Sequence, residues 1–188
     1  MKIGSRPITT EDPTYFIADI AANHDGDLGR AVDLIHMAAE AGADAAKFQH
    51  FRAEHIVSDR GFRELGRQQS HQASWSRSVF ETYAEASLPW DWTETLSKEA
   101  IKAGIHFFTS PYDFEAIDFV DPYVPAYKIG SGDITWIDAI HLMASKGKPV
   151  LLATGASGIS LITIFRGLEA SLKQPLASSK ITLHSPDW

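Results

Sequence analysis

At 188 residues the chain has the length of one domain with a sizeable core. Hydrophobic residues make up 44% and charged residues 22%, globular proportions that exclude an intrinsically disordered polypeptide. A net charge of -7 excludes a basic nucleic-acid footprint, and the absence of cysteine excludes disulfides and thiolate chemistry.

The opening MKIGSRPITTEDPT is polar and lacks the apolar centre of a secretory signal. No apolar run approaches the roughly 20 residues of a membrane span. These features predict a soluble cytoplasmic protein, with no nucleic-acid or membrane partner.

The first predicted strand is YFIADIA, over 15–21, followed by NHDGD with its turn and cap residues. Leu28, Val32, Ile35 and Ala39 then recur at helical spacing until Gly42 supplies a stop. ADAAKFQHF, over 43–51, is the second strand. A polar, aromatic-studded insertion spans about 52–90 and is helical over part of it, 75–86. A helix over 92–103 is closed by Gly104, and IHFFTSP is a third strand ended by Pro111. AYKIGSGD holds the fourth strand, with a helix over 134–145. KGKPVLLATG gives a fifth strand, and ITLHS, over 181–185, is the candidate sixth.

Alternating strand–helix units imply a parallel sheet with right-handed crossovers. A doubly wound open sheet fits this length. A (β/α)₈ barrel typically needs about 250 residues and eight strands, so a barrel here would be incomplete.

Side chains alternate across a strand, so parity sorts them into two faces. Phe16, Ala18 and Ile20 share one face, with Asp19 opposite. Ala46 and Phe48 oppose Lys47 and Gln49, and Tyr127 and Ile129 oppose Lys128. Three strands thus carry an apolar face for helices and ionisable groups on the other. Parallel strands usually read as continuous apolar runs, and an unpaired buried charge is costly. These groups must pair with one another or bind something. They sit near the C-terminal ends of strands, where ligands bind in α/β barrels and open sheets.

KIGSGD, from Lys128 to Asp133, has two glycines but matches neither G-x-x-x-x-G-K-[ST] nor G-x-G-x-x-G. The nucleotide-loop reading is therefore weak. What remains is Lys128, Ser131 and backbone N–H groups near a helix N-terminus, which are good anion ligands. The alternative is a serine–glycine turn that only caps the next helix.

His24, with Asp25 and Asp27, superficially resembles a metal cluster but is better explained by turn and cap duty. His50 and His55 flank a loop at no ligand spacing, and His36 and His141 sit in helical stretches as packing or surface residues. Trp75, Trp90 and Trp92 are read as the insertion's small core, with sugar stacking as the alternative.

Five ordered blocks resemble the sialic acid synthase family: IADIAANHDGD, AGADAAKFQHF, AGIHFFTSPYD, PAYKIGSGD and GKPVLLATG. The resemblance implies a TIM-type (β/α) barrel, incomplete here, with about six of eight strand–helix units across residues 1–188. It implies condensation of phosphoenolpyruvate with an N-acetylated aminosugar such as N-acetylmannosamine, giving a nonulosonic acid and phosphate. It further implies that Lys47 and Lys128, helped by Ser110 and Ser131, bind the phosphate and carboxylate of phosphoenolpyruvate. Gln49 would contact substrate in the barrel mouth. Asp19 would handle the sugar's carbonyl end, and Asp133 would lie beside the reacting centre.

Both aspartates stand where the family typically has glutamate, and Ala153 replaces a common serine. The family uses a divalent metal, Mn²⁺ or Mg²⁺, held by histidines of its seventh and eighth strands. No such residues are found before Trp188, and His184 matches a position that is not a family ligand. The expectation is that this chain alone binds Mn²⁺ weakly. The antifreeze-like domain that completes a partner's site in many members is also missing from the sequence, although a homo-oligomer is still expected. Two other readings stand beside this one. Lys47 or Lys128 forms a Schiff base, as in barrel aldolases, or the chain is a non-catalytic remnant that binds ligand.

Overall fold

The computed structural model describes residues 1–64 and 75–155, together with the backbone of a short strand at 176–177. The chain opens with a small antiparallel hairpin, β1 (Lys2–Ile3) and β2 (Arg6–Pro7). Then β3 (Ile17–Ala21), α1 (Leu28–Glu40) and β4 (Ala45–His50) form the first strand–helix–strand unit. Two short helices, α2 (Ala53–Ile56) and α3 (Asp59–Glu64), follow, with α4 (Val79–Ala86) beyond them. Next come α5 (Thr93–Lys102), β5 (His106–Pro111), α6 (Phe114–Val120) and β6 (Tyr127–Ile129). The remaining elements are α7 (Ile137–Ser145), β7 (Val150–Leu152) and β8 (Leu176–Ala177).

Local chemistry accounts for the helix limits. Asp27 caps α1 by accepting the Arg30 N–H at 2.8 Å, and Gly42 takes the left-handed conformation just past its end (φ +85°). Ser78 and Glu81 form a reciprocal capping box on α4. Asp113 caps α6 through the Ala116 N–H at 2.6 Å.

Strand order follows chain order. β3, β4 and β5 form one parallel sheet, β6, β7 and β8 a second, and β5 runs alongside β6. A doubly wound sheet would reverse its order at a switch point, and the described strands contain no reversal. The architecture is α/β with parallel strands and helical crossovers. Among the described residues no helix is long and apolar enough to cross a membrane.

The two strand faces pack differently. Ile20, Ala46, Phe48, Phe107, Tyr127, Ile129 and Val150 lie in the large core with the helices. Ala45, Phe108, Ala126 and Leu151 face the other way and meet Ile3 of the hairpin in a second, smaller cluster. Residues from both sheets share that cluster, so the strands curl around it and β1 closes its lower end.

Three sequence expectations shift. Phe16 precedes β3 and is 60% exposed, so it does not join Ala18 and Ile20 against the helices. The helix expected from residue 134 begins at Ile137, because Ile134 and Thr135 form a turn that follows a separate 3₁₀ turn at Ser131–Asp133. KIGSGD therefore does not run into a helix N-terminus. The strand beside β7 comes from Leu176–Ala177, while 181–185 and His184 lie outside the described residues.

Candidate active site

Alternation along β4 carries the inner face from Ala45 in the apolar cluster to Lys47, one step of about 6.6 Å nearer the C-terminal end. On β6 the same alternation separates Ala126 from Lys128. Both lysines are buried, Lys47 at 8% exposure and Lys128 at 6%. In parallel register Asp19 of β3 lies opposite Lys47, and its Oδ1 accepts from Lys47 Nζ at 2.7 Å. A register shift between Asp19 and Ala21, with Ala21 at φ +49°, ends β3 just beyond that carboxylate. Asp19 and Lys47 thus form the pair that parity required.

Lys128 is less completely matched. Its Nζ donates to the Ile129 carbonyl at 2.7 Å, and no carboxylate salt bridge to it is found among the described residues. Burial lowers its pKa to about 8, helped by the Lys47 charge and opposed by Asp19 and Asp133. Burial also pushes the Asp133 carboxyl above the usual carboxylate range, with Lys128 pulling the other way. Two lysines close enough to repel, with one adjacent carboxylate pair-bonded, leave local positive charge that an anionic ligand would neutralise.

Gln49 stands opposite Ser110 in the β4–β5 register, and Ser110 is 3% exposed. Ser131 is exposed in its 3₁₀ turn and packs against Gly155. A Cβ at Gly155 would come within 2.7 Å of the Ser131 Cβ, and its φ of +52° already favours glycine. The neighbourhood of Ser131 is thus set by β7's exit loop as well as by its own turn.

Above the strand ends lies a cavity of about 580 Å³. Gln49 and Asp133 line it from the strand side, and Phe51, His55, Val57, Phe62 and Tyr83 line it from the segment after β4. Tyr112, Asp113, Phe114 and Trp136 complete the wall. The helices α2, α3 and α4 roof one side, so the described parts of the segment after β4 belong to the site's architecture. The Tyr112 ring meets Phe51 edge-on at 6.0 Å. Burial, then Asp133 and Asp19, raise its phenol to about 12, so the hydroxyl keeps its proton.

The sequence reading assigned none of Tyr112, His55 and Asp113 to the site. The first and last were visible as the polar YD immediately after Pro111 at a strand end. His55 carried no local signal, because its place depends on a partner 58 residues away.

His50 and His24 have structural partners away from the cavity. His50 is buried between Thr109 Oγ1 at 2.7 Å and Thr93 Oγ1 at 2.8 Å. His24 is fully buried, with Nδ1 accepting the Gly26 N–H at 3.1 Å and its ring edge-on to Trp92. Asp27, not His24, caps the helix. Trp90 stacks on Phe119 and lies under the Arg52 guanidinium at 4.1 Å.

Residues 34–172 match the model of the NeuB family. The chain belongs to the NeuB family. It is 34% identical over 146 residues to human N-acetylneuraminate-9-phosphate synthase, covering 77% of this chain and 40% of that protein. It is 32% identical over 162 residues to the Legionella pneumophila N,N'-diacetyllegionaminic acid synthase, covering 86% and 45%. A Leptospira borgpetersenii N-acetylneuraminic acid synthetase, solved with citrate, superposes at TM-score 0.71 with 26% identity, covering 92% of this chain and 57% of that one. The chain spans less than half the length of the curated relatives it matches. A truncated Thermotoga maritima 3-deoxy-D-arabino-heptulosonate 7-phosphate synthase shares the fold at TM-score 0.59 and 15% identity.

Among the described residues no three His, Cys, Asp or Glu side chains gather into a metal-holding group. The site that is present is a lysine pair with flanking carboxylates, which does not by itself fit a divalent cation.

Proposed function

We propose that the chain is the phosphoenolpyruvate-binding part of a nonulosonic acid synthase, an incomplete (β/α) barrel acting within a homo-oligomer. The reaction condenses phosphoenolpyruvate with an N-acetylated aminosugar and releases phosphate. The observation that carries this reading is buried Lys128, with no carboxylate salt bridge among the described residues, beside the Asp19–Lys47 pair at the strand ends of a NeuB-family chain.

Phosphoenolpyruvate carries close to three negative charges near neutral pH. Lys47 and Lys128 take its phosphate and carboxylate, with Ser110 and Ser131 as hydroxyl donors. Each charge-assisted hydrogen bond contributes about 1.5–3 kcal/mol. Gln49 and Asp19 orient the sugar's carbonyl end in the cavity mouth. Phosphoenolpyruvate C3 then attacks the sugar carbonyl carbon, and the new alkoxide takes a proton. Asp133 is suited to hold that proton, because burial already favours its neutral form. Water adds at C2, and phosphate leaves as the C2–O bond breaks. A divalent metal is expected for the family. Among the described residues no three His, Cys, Asp or Glu side chains assemble to hold it.

The test is phosphate release from phosphoenolpyruvate with N-acetylmannosamine and Mn²⁺. Release that requires the sugar supports the proposal, and a chain that neither binds phosphoenolpyruvate nor releases phosphate with any N-acetylated aminosugar overturns it. Lys128's lowered pKa also suits a Schiff-base lysine. Borohydride trapping with pyruvate separates the two chemistries, because a covalent adduct on Lys128 sinks the synthase mechanism.

A further inference from the structure

The cavity wall carries a pair that the proposed chemistry does not use. His55 lies on α2 and Asp113 caps α6, and the His55 Nδ1 meets Asp113 Oδ2 at 2.7 Å. Both residues line the cavity. The other carboxylate oxygen is occupied, because Oδ1 accepts the Ala116 N–H at 2.6 Å. Beside them Arg52 makes two hydrogen bonds to Glu115, at 2.6 and 2.8 Å, so a second link ties the start of the roof to α6. His55 is therefore held at a fixed place on the wall.

A carboxylate offers lone pairs, so the proton in the His55–Asp113 hydrogen bond belongs to Nδ1. In the neutral ring Nε2 must then be an acceptor, and among the described residues it has no hydrogen-bond partner. An acceptor beside Phe51, Tyr83, Phe114 and Trp136 suits a ligand with apolar ring faces and hydroxyl edges. We propose that His55, oriented by Asp113, is a specificity-determining hydrogen-bond acceptor for a hydroxyl group of the polyhydroxylated acceptor in this cavity. The inference rests on the acceptor reading above and assigns the wall that selects it. Asp113 is the positioning residue, and its role is to fix the imidazole tautomer.

One variant separates positioning from simple packing. In Asp113→Asn the side-chain oxygen remains on the Ala116 N–H, since asparagine is a good N-cap. Its NH₂ then faces His55 Nδ1, which must accept. The tautomer flips, and Nε2 changes from acceptor to donor. The measurement is the ¹⁵N and ¹H spectrum of the His55 ring in the full chain, with N-acetylmannosamine as probe and phosphoenolpyruvate as control. The expected result is an Nδ1–H tautomer whose Nε2 resonance moves with the sugar and not with phosphoenolpyruvate. Asp113→Asn should reverse the tautomer and weaken the sugar response about tenfold, while His55→Phe should abolish selectivity among hydroxyl epimers.

Phosphate release, read separately, tells the two ideas apart. A sugar-responsive His55 without phosphoenolpyruvate binding or phosphate release leaves this inference standing and removes the synthase reading. Phosphate release with an unmoved His55, or an unchanged tautomer in Asp113→Asn, overturns the inference alone. Silence in both measurements sinks both.

Discussion

At the scale of one residue, Lys128 shows how a site is kept at the expense of stability. Its folded pKa of about 8 lies below the ordinary lysine value of 10.5. Between those two values the unfolded chain binds the proton that the folded chain has lost, so stability rises with pH across that window. Below about pH 8 the ammonium is charged in both states, and burying it costs about 3 kcal/mol. Lys128→Met is therefore expected to raise the urea midpoint at pH 7 and weaken phosphoenolpyruvate at least tenfold. A lower midpoint with wild-type affinity would remove Lys128 from the anion site. Phosphoenolpyruvate binding in the unaltered chain should also weaken as pH rises above about 8, when Lys128 gives up its charge. Because the bound anion favours the charged lysine, that midpoint should move upward as ligand concentration increases. Calorimetric titration from pH 7 to 9.5 reads both effects, and pH-independent affinity would contradict them.

At the scale of elements, β4 carries two kinds of ionisable residue on its opposite faces. Lys47 faces the site, while His50 turns to the helices and bonds Thr109 and Thr93. Burial lowers His50 to about 4 from its ordinary 6.5, so it folds as the neutral ring. A base depressed in this way contributes stability above about pH 6.5 and loses it as pH falls towards 4. The expected loss from this group is about 2 kcal/mol by pH 5. His50→Gln keeps a donor and an acceptor without the titration, so its urea midpoints at pH 7 and 5 should lie closer together than those of the unaltered chain. An equal acid sensitivity in both would assign the loss to another group. Strand parity made the two faces legible, because a period of two is a local property of the backbone. It placed Asp19, Lys47 and Lys128 together before any tertiary contact was known. The start of α7 was not legible, because Ile134 and Thr135 form a turn that the pattern cannot distinguish from a first helical turn. Nor was the His55–Asp113 wall, because it needs the fold of the 52–64 segment to reach α6.

At the scale of the molecule, the interior is layered along the strand axis. The hairpin floor comes first, then the apolar cluster of Ala45, Phe108, Ala126 and Leu151, then the lysines, and last the cavity. The floor is fastened at its edge, where Arg6 pairs with Asp44 and lies over the Tyr15 ring at 5.0 Å. Tyr15 in turn hydrogen-bonds His106 Nδ1 at 2.6 Å, tying the segment after the hairpin to the first residue of β5. Ile3 is the hairpin's contribution to the cluster and is fully buried. Shortening it removes apolar contact and leaves a void that Ala45 and Ala126 are too small to fill. Ile3→Ala is therefore expected to cost about 2–5 kcal/mol, read as a lower urea midpoint at an unchanged denaturant slope. The lysines stand a layer above, held by Asp19 and by the β6 backbone rather than by the hairpin. Under native conditions phosphoenolpyruvate affinity should then change by less than about threefold, since the variant removes packing energy and leaves the charges in place. An unaltered midpoint would mean that β1 does not close the interior. A large fall in affinity without unfolding would mean that floor and lysine layer move as one body.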